Sequence, residues 1–161
     1  DKLGRSRGNL VKQAEDLSAA DKPRLEPDAL EGLIAYIKET LGARVQNVIA
    51  SKRLVDSPAV LVNPDGMSGN LSRVMQMIDK NFQPSAKILE INATHPLLAN
   101  LSRLLKADRA DALLRDITEQ LLENCMLVDG LVSKPEAMVT RIQTLMERAA
   151  AMRADTLPPA E

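Results

Sequence analysis

Tryptophan is absent from this sequence of 161 residues, which also contains only one tyrosine, one phenylalanine, one cysteine and one histidine. Each scarcity closes off a class of chemistry. So few aromatic rings leave no platform on which successive nucleobases can stack. A lone Cys125 excludes an internal disulfide and suits a reducing compartment, so a cytoplasmic location is expected. A lone His95 leaves no His–His metal pair, and none of the seven glycines falls into a phosphate-cradling pattern. No cofactor or metal is therefore expected in this chain, and no catalytic residue. No apolar run approaches the roughly 20 residues that span a bilayer, and the amino end lacks the apolar segment of a signal peptide. Neither sign of charge dominates: 21 basic against 22 acidic side chains give a net charge of -1, which provides no field to hold a polyanion or an anionic lipid surface. Nucleic acid and membranes are not expected as partners. The chain begins at Asp1 rather than at a methionine, so a fragment of a longer protein is expected.

What is present is aliphatic. Hydrophobic residues make up 45% of the chain, enough for the core of one domain built from Leu, Ile, Val, Met and Ala. Residues 1–25 read as a linker from a preceding domain, with helical spacing only at Leu10, Val11, Ala14 and Leu17. A domain over 26–152 and a disordered tail over 153–161 complete the expected organisation. Apolar positions at Leu30, Leu33, Ile34, Ile37 and Leu41 predict a helix over Pro27 to Leu41, capped by Asp28 with Glu31 and stopped by Gly42. Val45 to Ser51, Ala59 to Val62 and Lys87 to Asn92 read as strands, separated by Pro58 and by the turn Asn63-Pro64-Asp65-Gly66. Between the last two, Met67 to Phe82 returns to helical spacing. Three helices follow, at about His95 to Lys106, Arg109 to Val128 and Pro135 to Met152, with Asp108 capping the second, Gly130 closing it, and Ser133 to Glu136 forming a capping box. The fold class is α+β: a small three-stranded mixed sheet (β-β-α-β) with helices, then a closing helical pair.

Two apolar stripes are candidate interaction surfaces. On the Met67 helix, Met67, Leu71, Val74, Met75 and Ile78 share one side, rich in the residue that best adapts to varied partners. The same stripe is what any helix crossing a sheet requires. On the closing pair, Leu114, Ile117, Leu121, Leu122 and Cys125 face one way on the first helix, and Met138, Ile142, Leu145 and Met146 do so on the second. Such a pair either completes its own domain or is completed by a second copy, giving a four-helix bundle in a homodimer. Cys125, among leucines and Met126, is read as a small hydrophobe. The carboxylate pairs Asp108/Asp111 and Glu119/Glu123 are read as caps and solvated faces. A nucleic-acid-binding or enzyme-accessory α+β domain, the latter using His95 with Arg53 or Asp56, is the alternative class.

Three segments, in order, carry a resemblance. Val48 to Ala59 contains Ser51-Lys52-Arg53-Leu54-Val55-Asp56-Ser57-Pro58-Ala59, and Ile88 to Leu97 contains Leu89-Glu90-Ile91-Asn92-Ala93-Thr94-His95-Pro96-Leu97. The third joins Leu121 through Gly130 to Pro135 through Ile142. Together they resemble the C-terminal dimerization region of the heat shock protein 90 family, in its bacterial branch, over about Leu30 to Met146. Cys125 stands where the family more often has a small residue, and Met138 where it often has an aromatic. The resemblance implies a stress-response chaperone whose subunits are joined by the last two helices, with ATP and Mg used in an amino-terminal part of the parent. It also implies unfolded or partly folded client proteins as partners, touched by the helix that contains Met67. The tail lacks the Glu-Glu-Val-Asp ending of eukaryotic cytosolic members, so their repeat-domain cochaperones are not implied.

Overall fold

The structure, a computed structural model, describes residues 24–64, 69–81, 86–132 and 134–159. Helix α1 (Pro27–Leu41) opens it. Pro27 occupies its first turn, where a missing N–H costs nothing, and Asp28 sits within that turn rather than capping it; the N-cap position is Glu26, with no side-chain cap. Gly42 ends the helix at φ +55, a left-handed conformation that favours glycine. A single 3-10 turn (Gly42–Arg44) leads into strand β1 (Val45–Ala50). β2 (Ala59–Val62) and β3 (Lys87–Ile91) complete a mixed three-stranded sheet in the order β1-β3-β2, with β3 parallel to β1 and antiparallel to β2. The α+β class and mixed sheet are as the sequence implies.

β3 is the central strand, paired on both edges, and its side chains alternate: Leu89 and Ile91 are buried, while Ile88 and Glu90 lie half out. Helix α1 covers this sheet through Leu33, Tyr36, Ile37 and Leu41, and α3 (Pro96–Ala107) joins the same core through Leu98 and Leu101. The link between β3 and α3 is set by Asn92. Its amide nitrogen donates to the carbonyls of Val55 and Ser57, and its amide oxygen accepts from Thr94 N and Thr94 Oγ1. His95 is the N-cap of α3, its Nδ1 accepting from Leu97 N at 3.0 Å. Ser51 plays the same part in the preceding loop, where its hydroxyl accepts from the backbone of Arg53 and Leu54. The two specific sequence motifs are thus folding staples that hold the loop over 51–58 against the start of α3.

Helix α2 (Gly69–Ile78) lies between β2 and β3 in the chain. Met67 and Phe82 fall outside the described residues. α4 (Ala112–Val128) and α5 (Glu136–Ala154) form the closing hairpin. α4 starts three residues later than its apolar spacing suggests, because Asp108 Oδ1 takes Ala110 N in a local turn and Asp111 is the true cap, accepting from Leu113 N. Its end is a Schellman closure at Gly130 (φ 68), with Gly130 N bonded to Leu127 O and Leu131 N to Met126 O. The N-cap position of α5 is Pro135, without a side-chain cap; Ser133, which leads the expected box, lies outside the described residues. α5 runs two residues beyond the expected Met152, and its last turn is fixed through Leu157 by backbone bonds. At the other limit, Leu25 donates to Ala93 O and packs on the core, so the domain takes in the last of the expected linker.

Candidate interaction surfaces

α4 carries apolar residues around more than half its circumference, and the fold divides them. Leu114, Thr118, Leu121, Leu122 and Cys125 turn to the sheet and to α1 and α3, and all are buried. Of the residues expected at a dimer interface, Leu114, Leu121, Leu122, Cys125 and Met138 are closed within the chain itself, each at most 8% exposed. Side chains already out of water have little area left to offer a partner. Ile117, Ile142 and Leu145 are half-buried, and Met146 is 64% exposed. Val139, beside Ile142 on the helical surface, is also exposed. The apolar edge left open on α5 is therefore Val139, Ile142 and Met146, at i, i+3 and i+7.

The other side of α5 is fixed to α4 by charge. Arg141 donates from Nη1 to Glu123 Oε2 at 2.6 Å and from Nη2 to Glu119 Oε2 at 2.9 Å, and all three side chains are under 20% exposed. Arg148 pairs with Asp116 two turns further along α5. Glu119 and Glu123, whose spacing reads as a solvated face, are instead the acceptors of this clamp. No local signal reveals that, since their partner lies 18 and 22 residues away.

On α2, Val74 and Ile78 are exposed, Met75 is half-buried, and Met77, off the expected stripe, is 84% exposed. Leu71 lies on the same helix. Cys125 lines a cavity of about 290 Å³ between the loop into β2 and the C-terminal half of α4, walled by Leu54, Pro58, Leu61, Leu121 and Val128. Burial pushes its thiol up to about 11, and the nearby charge of Asp129 adds to the effect. That thiol is a poor nucleophile. A second cavity of about 440 Å³, between α1 and the start of α4, is lined by Tyr36, Glu39, Asp111, Arg109 and Arg115, whose charges cancel. Arg109 lies over the Tyr36 ring and pairs with Glu39 there. His95 Nδ1 is spent on its cap, Arg53 is held by Glu90 and Asp56 is exposed. Among the described residues, no helix is long and apolar enough to cross a membrane.

Comparison with known proteins places these surfaces in context. Residues 6–161 match the family model described as Hsp90 protein. The chain is 38% identical over 146 residues to the chaperone protein HtpG of Oleidesulfovibrio alaskensis, covering 88% of this chain and 23% of that protein. It is 36% identical over 149 residues to that of Chlorobium luteolum, covering 90% and 24%. Desulfotalea psychrophila supplies another HtpG at 37% identity, covering 88% and 23%. The chain thus spans about a quarter of the length of these curated relatives.

Proposed function

The chain belongs to the Hsp90 protein family, and from that premise we propose that it is the part of a chaperone that joins two subunits, with α4 and α5 of each copy forming a four-helix bundle. The observation that carries this reading is the open edge of α5. Val139 and Met146 are exposed and Ile142 is half-buried on a helix whose opposite side is already locked to α4 by Arg141. A rigid helix with one unfilled apolar edge is suited to packing against its own copy about a twofold axis, where each residue contributes twice. A stable pairing needs about 800 Å² from each partner. Linking two subunits in this way turns the encounter of their distant parts into an intramolecular event, at effective concentrations on the order of mM. In this reading ATP and Mg act elsewhere in the parent, and the cytoplasm is its compartment.

The exposed side chains of α2 support a second element of the same reading. Val74, Met77 and Ile78 present flexible and branched apolar groups to solvent on a short helix, a surface able to touch unfolded segments of varied sequence. Self-association is tested by refolding a tagged and an untagged copy together and capturing the tag. Retention of the untagged copy, lost on Met146→Asp, is the expected result; no retention at micromolar concentration would contradict the joining role.

A further inference from the structure

The sheet has two outer edges, and the fold treats them differently. β3 is paired on both sides, so the outer edges belong to β1 and β2. An open strand edge is a template for another strand, and proteins blunt such edges with bulges, charges or proline. β1 is blunted: its register breaks between Val45 and Asn47, and the amide of Val48, on the outer side, donates to the Asn47 side chain. β2 is not. Its residues Ala59-Val60-Leu61-Val62 carry no charge, and Pro58 and Pro64 stand outside it. Asn92 N donates to Pro58 O, so in the register Val60↔Glu90 and Val62↔Ile88 it is Val60 and Val62 that bond to β3. An antiparallel ladder bonds every second residue, so the peptide groups of Ala59 and Leu61 point out of the sheet. Among the described residues, nothing bonds to them there.

Ala59, Val60 and Leu61 in succession line the cavity of about 290 Å³ beside α4. Successive side chains of a strand point to opposite faces, so three in a row reach one cavity only along the strand's edge. The open peptide groups and the cavity are therefore one surface. Leu121, Cys125 and Val128 give it an apolar wall, and Ser57, Asn124 and Asp129 a polar one. We propose that this surface docks an extended segment of an unfolded polypeptide, which adds a strand outside β2 and seats one aliphatic side chain against Leu121 and Val128. The backbone sets the class of occupant: alternating open amides and carbonyls are matched by an extended main chain, whereas a helix bonds its own. The cavity sets the side chain, since its volume lies below that typical of small-molecule sites. The edge is held ready, because Asn92 fixes the carbonyls of Val55 and Ser57 in the loop leading to it, so little is ordered on docking. The inference rests on the class of partner proposed above for α2, but neither on the residues of α2 nor on subunit joining.

The test is an NMR titration of the isotope-labelled chain with the peptide acetyl-Thr-Val-Leu-Val-Thr-amide, beside the same peptide N-methylated at both Val and at Leu. At a peptide concentration about ten times its Kd, hydrogen exchange at Ala59 N and Leu61 N should slow about tenfold. Val60 N and Val62 N, already bonded to β3, should change less, and the methylated peptide should have no effect. Val128→Asp, at an exposed position, should weaken the plain peptide severalfold without loss of fold. Equal responses to both peptides, or no response to either, overturn the edge site. Shifts confined to α2, with Ala59 and Leu61 unmoved, overturn it too and leave the α2 reading intact. Protection of these two amides that grows with protein concentration in the absence of peptide makes a second copy the occupant and overturns the assignment.

Discussion

Arg141 Nη1 lies 2.6 Å from Glu123 Oε2, bridging the two closing helices in a site where both side chains are under 20% exposed. The same guanidinium holds Glu119 at 2.9 Å, so one cation neutralises two partly buried carboxylates. Removing it takes from Glu123 its partner across the hairpin, while Glu119 keeps the more exposed Arg44 and Arg115. Arg141→Met is expected to cost roughly 3 kcal/mol, near the low end for breaking a buried pair. Arg115→Met, whose arginine is 71% exposed on the same Glu119, is expected to change stability by less than about 1 kcal/mol. Urea unfolding followed by circular dichroism distinguishes the two; equal effects would mean that burial does not govern the clamp.

Leu121 and Met146 separate folding from association. Leu121 is 3% exposed in the core, so Leu121→Ala should cost about 2 to 5 kcal/mol and Leu121→Asp should unfold the chain. Met146→Asp, on an exposed edge, should keep the circular dichroism spectrum and lose only the partner. A folded, dimeric Leu121→Asp would show that the α4 core is assigned to the wrong side.

Val74 and Ile78 test the α2 surface. Replacing both with Gln should weaken suppression of a model client's aggregation while moving stability by within about 0.5 kcal/mol per site, as exposed substitutions do. Unchanged suppression with unchanged stability would place client contact on another element.

Cys125 gives a pH prediction. Its thiol is held up to about 11 from the usual 9.0, so the unfolded chain releases this proton at lower pH than the folded chain does. Stability is therefore fully present below pH 9 and falls between about 9 and 11. At pH 8, alkylation of Cys125 by iodoacetamide should be slow in the native protein and fast in urea. Rapid native alkylation would mean that the cavity opens readily.

Helix α1 was legible from periodicity, because Leu33, Ile37 and Leu41 bury one face on helical spacing, and strands β2 and β3 were legible as short apolar stretches bounded by Pro58, the turn after Val62 and Pro84. The start of α4 was not. Asp108 and Asp111 are both competent caps, and only the local turn at Ala110 decides between them. Which apolar residues of the closing hairpin stay exposed was half legible for a similar reason. Apolar spacing marks Leu121 and Met146 alike, while the position of the sheet determines that the first is covered and the second is open. The Arg141 clamp was invisible because its residues become neighbours only when the hairpin closes.

Sedimentation equilibrium tests the central claim most directly, run at about 10 μM because association depends on protomer concentration. The account predicts a mass twice the 17.6 kDa of one chain, falling to the single-chain value in Met146→Asp without loss of helical signal. A folded wild-type chain sedimenting at 17.6 kDa would contradict it.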